Sequence, residues 1–128
     1  MAAPTVQTIV SGGNVLIINV RKVFDSDDAD AVIVDKSALI GPLGIEPSKI
    51  AVMEIWWTIQ GYGNVLLEFD RDTDNIIGSF SGQGYIDYMP YGGKIDQGAN
   101  GTGDILLTST AGSANGSYNF VIKMRLKK

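Results

Sequence analysis

The stretch "SYNFVIKMRLKK" at residues 117–128 is the clearest indication of the fold class, because apolar and polar side chains alternate along it with a period of two. One face carries Tyr118, Phe120, Ile122, Met124 and Leu126. The opposite face carries Asn119, Lys123, Arg125 and Lys127. Successive side chains of a β-strand point to opposite sides of a sheet, so this pattern predicts a strand with one buried face.

The same alternation recurs in other parts of the chain. In "IAVMEIWWTIQ", residues 50–60, the side chains predicted to face the core are Met53, Ile55, Trp57 and Ile59. Those predicted to face away are Glu54, Trp56, Thr58 and Gln60. Two further runs have inward sets, Leu16, Ile18, Val20 and Phe24 in the first and Val65, Leu67 and Phe69 in the second. Shorter strand-like runs lie at 5–10, 31–35, 75–80, 84–88 and 104–110.

Turn-forming residues separate these runs, as in "SGGN", "GYGN", "SGQG" and "AGSANGS". The single weak helical candidate, residues 35–50, is interrupted by Gly41, Pro42, Gly44 and Pro47, so no more than a turn or two of helix is expected there. The sequence therefore predicts an all-β fold with residues 1–128 in one domain. The expected architecture is a β-sandwich or a jelly-roll-like fold of about eight short antiparallel strands.

Composition excludes several classes of chemistry. The 128 residues include no cysteine and no histidine, which excludes disulfides, thiolate zinc sites and His-dependent nucleophiles within this chain. Paired carboxylates are not excluded by residue type, but no spacing singles out a pair. We therefore expect neither an enzyme nor a cofactor.

Charge and hydropathy argue against two kinds of partner. The net charge is −4 and most basic residues are scattered, so we expect no nucleic acid. No apolar stretch approaches the roughly 20 residues that cross a bilayer, so we expect no membrane partner. The first residues lack the pattern of a secretory signal, so the chain is expected to be made in the cytoplasm of its producer.

Two acidic runs are candidate calcium sites. The first contains Asp25, Asp27, Asp28 and Asp30, and the second contains Asp70, Asp72 and Asp74. Clustered carboxylates suit a cation that takes six to eight oxygen ligands. The second run is closer to the spacing of a calcium loop, but it has Asn75 and Ser81 where glycine and glutamate are needed. Solvated loops between strands are the favoured interpretation.

The glycine-rich stretch "GANGTGD", residues 98–104, is a weak candidate for phosphate binding. It has no Lys-Ser/Thr pair, and a strand rather than a helix follows it. Its glycines are expected to supply positive φ angles and tight corners in a long connection. Connections of this length often carry interactions with partners.

Aromatic residues and the first residues of the chain are the candidate partner contacts. Trp56 shares a predicted outward face with Glu54 and Thr58, and Tyr85, Tyr88 and Tyr91 lie close together in sequence. Exposed aromatic residues favour protein contacts or a stacking platform for sugars, and burial in a second apolar cluster is the alternative. Residues 1–9, which include Pro4, are expected to form either an extended arm or an edge strand.

The C-terminal half resembles a family of small virion structural proteins from tailed bacteriophages. The resemblance rests on residues 64–80 and 88–128, "NVLLEFDRDTDNIIGSF" and "YMPYGGKIDQGANGTGDILLTSTAGSANGSYNFVIKMRLKK". Within them, its motifs are Phe69-Asp70, Gly92-Gly93, the "GTGDI" start of a strand at 101–105, and Ser117-Tyr118.

This resemblance implies a non-enzymatic capsid component of the decoration or cement type. Such a protein is expected on the outer capsid surface of the virion, as a homo-oligomer and specifically a trimer. It would bind the major capsid protein and bridge neighbouring capsid subunits. The alternatives are a module of the tail, neck or fibre, and a carbohydrate-binding β-sandwich that uses Trp56 or the tyrosines.

Overall fold

The structure is a computed structural model that describes residues 4–12, 14–39, 44–71, 75–96 and 101–127. Within these residues the chain forms ten strands: β1 Thr5–Gly12, β2 Val15–Val23, β3 Ala31–Val34, β4 Lys49–Gln60, β5 Asn64–Phe69, β6 Asn75–Phe80, β7 Gln83–Asp87, β8 Lys94–Ile95, β9 Ile105–Thr110 and β10 Ser117–Lys127. The predicted all-β fold is confirmed.

The strands form two antiparallel sheets. The six-stranded sheet has the order β1-β2-β10-β4-β7, and the two-residue β8 pairs with β4 beyond the part of β4 that β7 covers. The four-stranded sheet has the order β3-β9-β5-β6. β10 is central to the larger sheet because it pairs with β2 on one side and with β4 on the other.

The strand order is that of a jelly roll. The hairpin β5/β6 lies in the smaller sheet, the pair β4/β7 in the larger, β3/β9 in the smaller and β2/β10 in the larger. The chain therefore follows one long antiparallel hairpin that is rolled up, so that successive strand pairs alternate between the two sheets. β1 and β8 are additions to this eight-stranded core.

The core lies between the sheets and follows the predicted alternation closely. The five inward-facing residues of β10 are buried, and so are Val65, Leu67 and Phe69 of β5. Side chains of both sheets form one buried cluster, which also includes Leu16, Ile18 and Val20 of β2. Period two in the sequence thus identified the inward faces of the central strands.

Strand β4 departs from strict alternation at Met53. Lys123 of β10 lies opposite Glu54, but the next residue, Met124, lies opposite Val52. Met53 is therefore the extra residue of a β-bulge, and Val52 takes the place in the core cluster that the pattern assigned to Met53. Met53 is buried as predicted, but it lies close to Gly93 and is not part of the core cluster.

The two remaining predictions concern the first residues and the helical candidate. Thr5–Gly12 forms the edge strand β1, so the second of the two predicted alternatives, an edge strand, is correct for residues 5–9. Residues 1–3 lie outside the described residues. The stretch 35–50 contains a short 3-10 turn at Lys36–Ala38, and residues 40–43 lie outside the description. No helix in the described part of the chain is long and apolar enough to cross a membrane.

Candidate functional site: the open face of the six-stranded sheet

The outward side of the six-stranded sheet, here called the open face, carries two rows of side chains across five strands. Strand register sets the rows, because paired residues point to the same side of a sheet. The first row is Tyr85, Trp56, Val121, Asn19 and Gln7. The second row is Gln83, Thr58, Asn119, Arg21 and Thr5.

Trp56 and Tyr85 form an aromatic pair at one end of the first row. Their ring centroids are 5.0 Å apart with an angle of 31° between the ring planes. Trp56 is 40% exposed and Tyr85 is 49% exposed. Two large rings on neighbouring strands thus present their surfaces to solvent, which confirms the predicted outward position of Trp56.

The neighbouring residue Trp57 points the other way and packs against the core. Its ring contacts Phe80 at 4.8 Å, and its Nε1 donates a hydrogen bond of 3.0 Å to the carbonyl oxygen of Ser81. Gly84 lies opposite Trp57 in the ladder, and a Cβ there would lie 2.6 Å from the indole Cζ2. The absence of a side chain at Gly84 therefore lets β7 approach β4 and sets Tyr85 opposite Trp56.

A shallow cavity of about 440 Å³ lies against the aromatic pair. Besides Trp56 and Tyr85, its lining includes Thr58, Gln83, Asn119 and Val121. None of the lining residues that the structure describes carries a formal charge. The cavity therefore combines aromatic surface with neutral hydrogen-bonding groups.

Four polar side chains at the other end of the rows form an exposed polar network: Gln7, Asn19, Arg21 and Asn119. Asn19 Nδ2 donates to Asn119 Oδ1 at 2.6 Å. Arg21 Nη1 donates to Asn19 Oδ1 at 2.7 Å and to Gln7 Oε1 at 3.1 Å. These hydrogen bonds tie β1, β2 and β10 together and hold the Asn119 amide in one orientation beside the cavity.

The structure does not gather all the predicted contact residues at this face. Tyr88 is half-buried against the core, and its Oη donates a 3.3 Å hydrogen bond to the carbonyl oxygen of Ile77. Burial also raises the pKa of Tyr88. Tyr91 lies in the 3-10 turn Met89–Tyr91 and is 83% exposed, and Pro4 is half-buried just before β1. Trp56 and Tyr85 are the members of the set that share a ring contact.

The first acidic run is part of a buried polar cluster formed by Lys22, Asp28 and Tyr118. Lys22 Nζ donates to Asp28 Oδ1 at 2.8 Å, and Tyr118 Oη donates to Asp28 Oδ2 at 2.8 Å. The side chains of Lys22 and Asp28 are 4% and 7% exposed. The expectation of a solvated loop is therefore wrong at Asp28, because strand residues supply a cation and a hydroxyl to its carboxylate.

Burial and hydrogen bonding shift the ionisation of this cluster. Burial acts to lower the pKa of Lys22, but hydrogen bonds to Asp28 and Asp25 outweigh it, and the pKa is raised. Burial, followed by the hydrogen bond to Asp28, raises the pKa of the Tyr118 phenol strongly. The folded state therefore holds a protonated lysine and a neutral tyrosine against one carboxylate.

Two other acidic side chains, Asp27 and Asp70, accept hydrogen bonds from groups of the protein. Asp27 Oδ1 accepts from the Gly112 backbone nitrogen at 3.1 Å and from Ser109 Oγ at 3.2 Å. Asp70 Oδ2 accepts from Thr102 Oγ1 at 2.8 Å, while Asp72 and Asp74 lie outside the described residues. Among the residues placed by the structure, no three carboxylates lie close enough to hold a metal ion.

The described end of the glycine-rich connection, which begins at Gly101, lies against Asp70 and Arg71 at the end of β5. Gly101 has a φ of +70°, and a Cβ at this position would lie 2.6 Å from the carbonyl oxygen of Asp70. Nearby, the Arg71 guanidinium donates from Nε to Asp96 Oδ2 at 2.8 Å, and the Asp96 side chain is fully buried. The predicted role of the glycines as corner residues is confirmed at Gly101.

Sequence reasoning missed Lys22 and the exposed polar network. Lys22 occupies an inward position between Val20 and Phe24, and a lysine in an inward position of a strand signals a buried acidic partner. Nothing in the sequence pairs Asn19 with Asn119, which are 100 positions apart.

Comparisons with known proteins give no family assignment. No protein-family model matches the sequence, and neither a curated protein nor a solved structure matches it significantly.

Proposed function

We propose that the protein is a non-enzymatic virion structural protein of the capsid decoration type. It binds the assembled shell on its outer surface and stabilises it across the boundaries between capsid subunits. The resemblance of residues 64–80 and 88–128 to small phage virion proteins supports this proposal. The jelly roll is compatible with it, since viral capsid and lectin domains both use this fold, but fold by itself does not specify function.

The observation that carries the proposal is the exposure of strand β1. All eight residues of Thr5–Gly12 are exposed, and within the described chain the strand pairs with β2 alone. The other edge strands β3, β6, β7 and β8 have four, six, five and two residues. β1 is therefore the longest edge, and its outer side offers backbone N–H and C=O groups to a partner strand.

The side chains of β1 also favour a protein partner. Val6, Ile9 and Val10 are 41%, 54% and 45% exposed, and no residue of Thr5–Gly12 is charged. A long uncharged edge with exposed apolar residues lacks the charges that protect many natural edges from pairing. Pro4 precedes the strand and limits the pairing at that end, because proline has no backbone N–H.

The mechanism follows from binding the assembled shell and not the free capsid subunit. A ligand that binds only one state stabilises that state by mass action. Many identical copies on a symmetric surface add their weak contacts, and a homotrimer would engage several sites at once. β1 then contacts either the neighbouring copy or the major capsid protein.

Co-sedimentation tests the proposal, with shells assembled from the major capsid protein of the same genome. The wild-type protein is expected to pellet with expanded shells. Val6→Lys/Val10→Lys is expected to remain in the supernatant. The matched control Val32→Lys/Ile76→Lys adds the same charge at positions 54% and 55% exposed on β3 and β6, and is expected to pellet like the wild type.

Three results would count against this function. The wild-type protein could stay in the supernatant at every ratio to the shell, or both double variants could pellet equally. Immunogold labelling of particles could also place the protein on a tail, neck or fibre.

Light scattering supplies an independent measurement, in which a trimer is expected and a strict monomer argues against the proposal. Val10→Lys and Val32→Lys repeat the comparison at half the added charge if a double variant is unstable.

A further inference from the structure

The open face has the composition of a ligand site that the decoration function does not use. The cavity of about 440 Å³ lies on the side of β4 and β7, whereas β1 is at the opposite edge of the same sheet. Its lining includes the exposed aromatic pair, hydroxyl and amide side chains, and the apolar residue Val121. A second kind of partner can therefore reach it while β1 is engaged.

We propose that the open face binds a neutral oligosaccharide, with one pyranose ring stacked on the Trp56–Tyr85 pair. The sugar hydroxyls would exchange hydrogen bonds with Thr58, Gln83 and Asn119, which line the same cavity. This proposal goes beyond the decoration function and does not depend on it.

The chemistry of a pyranose fits both parts of the site. One side of the ring presents C–H groups, which are attracted to the negative face of an aromatic ring. Its hydroxyls both donate and accept, and so do the amides of Gln83 and Asn119 and the hydroxyl of Thr58. A cavity with aromatic walls and a few polar groups is the usual composition of a small-ligand site.

The charge of the site favours a neutral sugar over a nucleic acid. Stacking platforms for single-stranded nucleic acid also use aromatic rings, but they combine them with a positively charged groove for the phosphates. Here the described lining residues are uncharged, and Glu54 and Asp87 lie opposite each other two pairs further along β4 and β7, on the same face of the sheet. These carboxylates adjoin the aromatic pair and would repel a phosphate backbone.

The site is held in place before any ligand arrives. Trp56 and Tyr85 are directly opposite each other in an antiparallel ladder, and Trp57 anchors the same part of β4 on the inner side. The hydrogen bond from Asn19 fixes the Asn119 amide. Ligand binding therefore requires little further ordering of protein side chains, and the entropic cost of binding is small.

A glycan array followed by titration of intrinsic tryptophan fluorescence tests the proposal. The probes are neutral oligosaccharides of glucose, mannose, galactose and N-acetylglucosamine, with oligo-dT as the nucleic-acid arm. The wild type is expected to bind at least one neutral oligosaccharide. Trp56→Ala and Tyr85→Ala are each expected to weaken that binding about tenfold or more, because each removes half of the stacking surface.

Tyr91→Ala is the matched control, since it removes an aromatic ring that is 83% exposed outside the cavity. It is expected to leave sugar binding unchanged. The proposal is overturned if no neutral sugar binds, if Tyr91→Ala weakens binding as much as Tyr85→Ala, or if oligo-dT binds in preference to the sugars. Trp56→Ala/Tyr85→Ala should still pellet with capsid shells, so failure of sugar binding is distinguishable from failure of the decoration function.

Discussion

Two polar regions lie back to back on the same pair of strands, β2 and β10. Lys22 and Tyr118 point inward to Asp28, whereas their sequence neighbours Arg21 and Asn119 point outward. The buried polar cluster is closed to water, and the exposed polar network lies on an open face beside a cavity.

The difference shows how one strand pair separates stability from recognition. A buried carboxylate is stable only while its partners are present, so the buried polar cluster holds the acidic loop in place. Substitution of any of its members is expected to lower the free energy of unfolding. Exposed amides have water as an alternative partner, so the outer network can exchange its hydrogen bonds with a ligand. Variants on the two faces should therefore differ sharply in stability.

The largest effect is expected for Lys22→Met. Removing the cation leaves the carboxylate of Asp28 buried without its ion pair, and the free energy of unfolding should fall by about 3–5 kcal/mol. Arg21→Met, one residue away on the exposed side, should change it by no more than about 0.5 kcal/mol. Urea denaturation measures both, and equal losses in the two variants would contradict the contrast between the faces.

A smaller loss is expected for Tyr118→Phe. This variant keeps the ring but removes a buried donor to Asp28, which should lower the free energy of unfolding by about 1–3 kcal/mol. Tyr62→Phe is its control, since the Tyr62 hydroxyl is buried with no hydrogen-bond partner among the residues that the structure describes. Denaturation should show Tyr62→Phe as stable as the wild type or slightly more so, and a loss equal to that of Tyr118→Phe would be inconsistent with this assignment.

Alkaline pH should weaken the inner cluster. Because the pKa of Tyr118 is raised in the fold, the unfolded chain loses this phenolic proton first, above about pH 10, and stability then falls as pH rises. The raised pKa of Lys22 acts in the same direction, since its contribution is present below about pH 10.4 and is lost as pH rises through the folded value.

Each of these two groups contributes up to about 1.4 kcal/mol per pH unit to the decline in the free energy of unfolding. Urea denaturation between pH 8 and 11 measures it, and Tyr118→Phe should have a shallower decline above pH 10 than the wild type. Parallel declines in the two proteins would show that Tyr118 does not set the alkaline limit.

The smallest effect on stability is expected for Asn119→Ala. Its amide is exposed and its partner Asn19 can bond to water instead, so the free energy of unfolding should change by no more than about 0.5 kcal/mol. The same variant should weaken sugar binding, because Asn119 lines the cavity. Thermal unfolding and fluorescence titration on one sample would sharpen the comparison, and a large stability loss would place Asn119 with the buried residues.

Alternation along the chain predicted each described strand except β8, and it predicted the buried side of the central strands. Period two identified the inward faces of β2, β5 and β10 and separated Trp56 from Trp57, because alternation along a strand is a local property of the chain. Because the sequence has no cysteine and no histidine, disulfides, thiolate zinc sites and His-dependent nucleophiles within this chain were excluded without reference to the fold. One local irregularity, the bulge at Met53, escaped the pattern because it depends on the partner strand.

Which strands are neighbours is evident from the fold and not from the sequence. Alternation predicts which face of a sheet a side chain lies on, but it does not predict which residue lies opposite on the neighbouring strand. The pairing of Trp56 with Tyr85 and of Lys22 with Tyr118 therefore could not be predicted. The jelly roll brings Asp28 to Tyr118 across 90 positions and Asn19 to Asn119 across 100. Contacts at such separations are set by the register of long-range strand pairing, which is fixed by packing of the whole core and not by any single stretch of the chain.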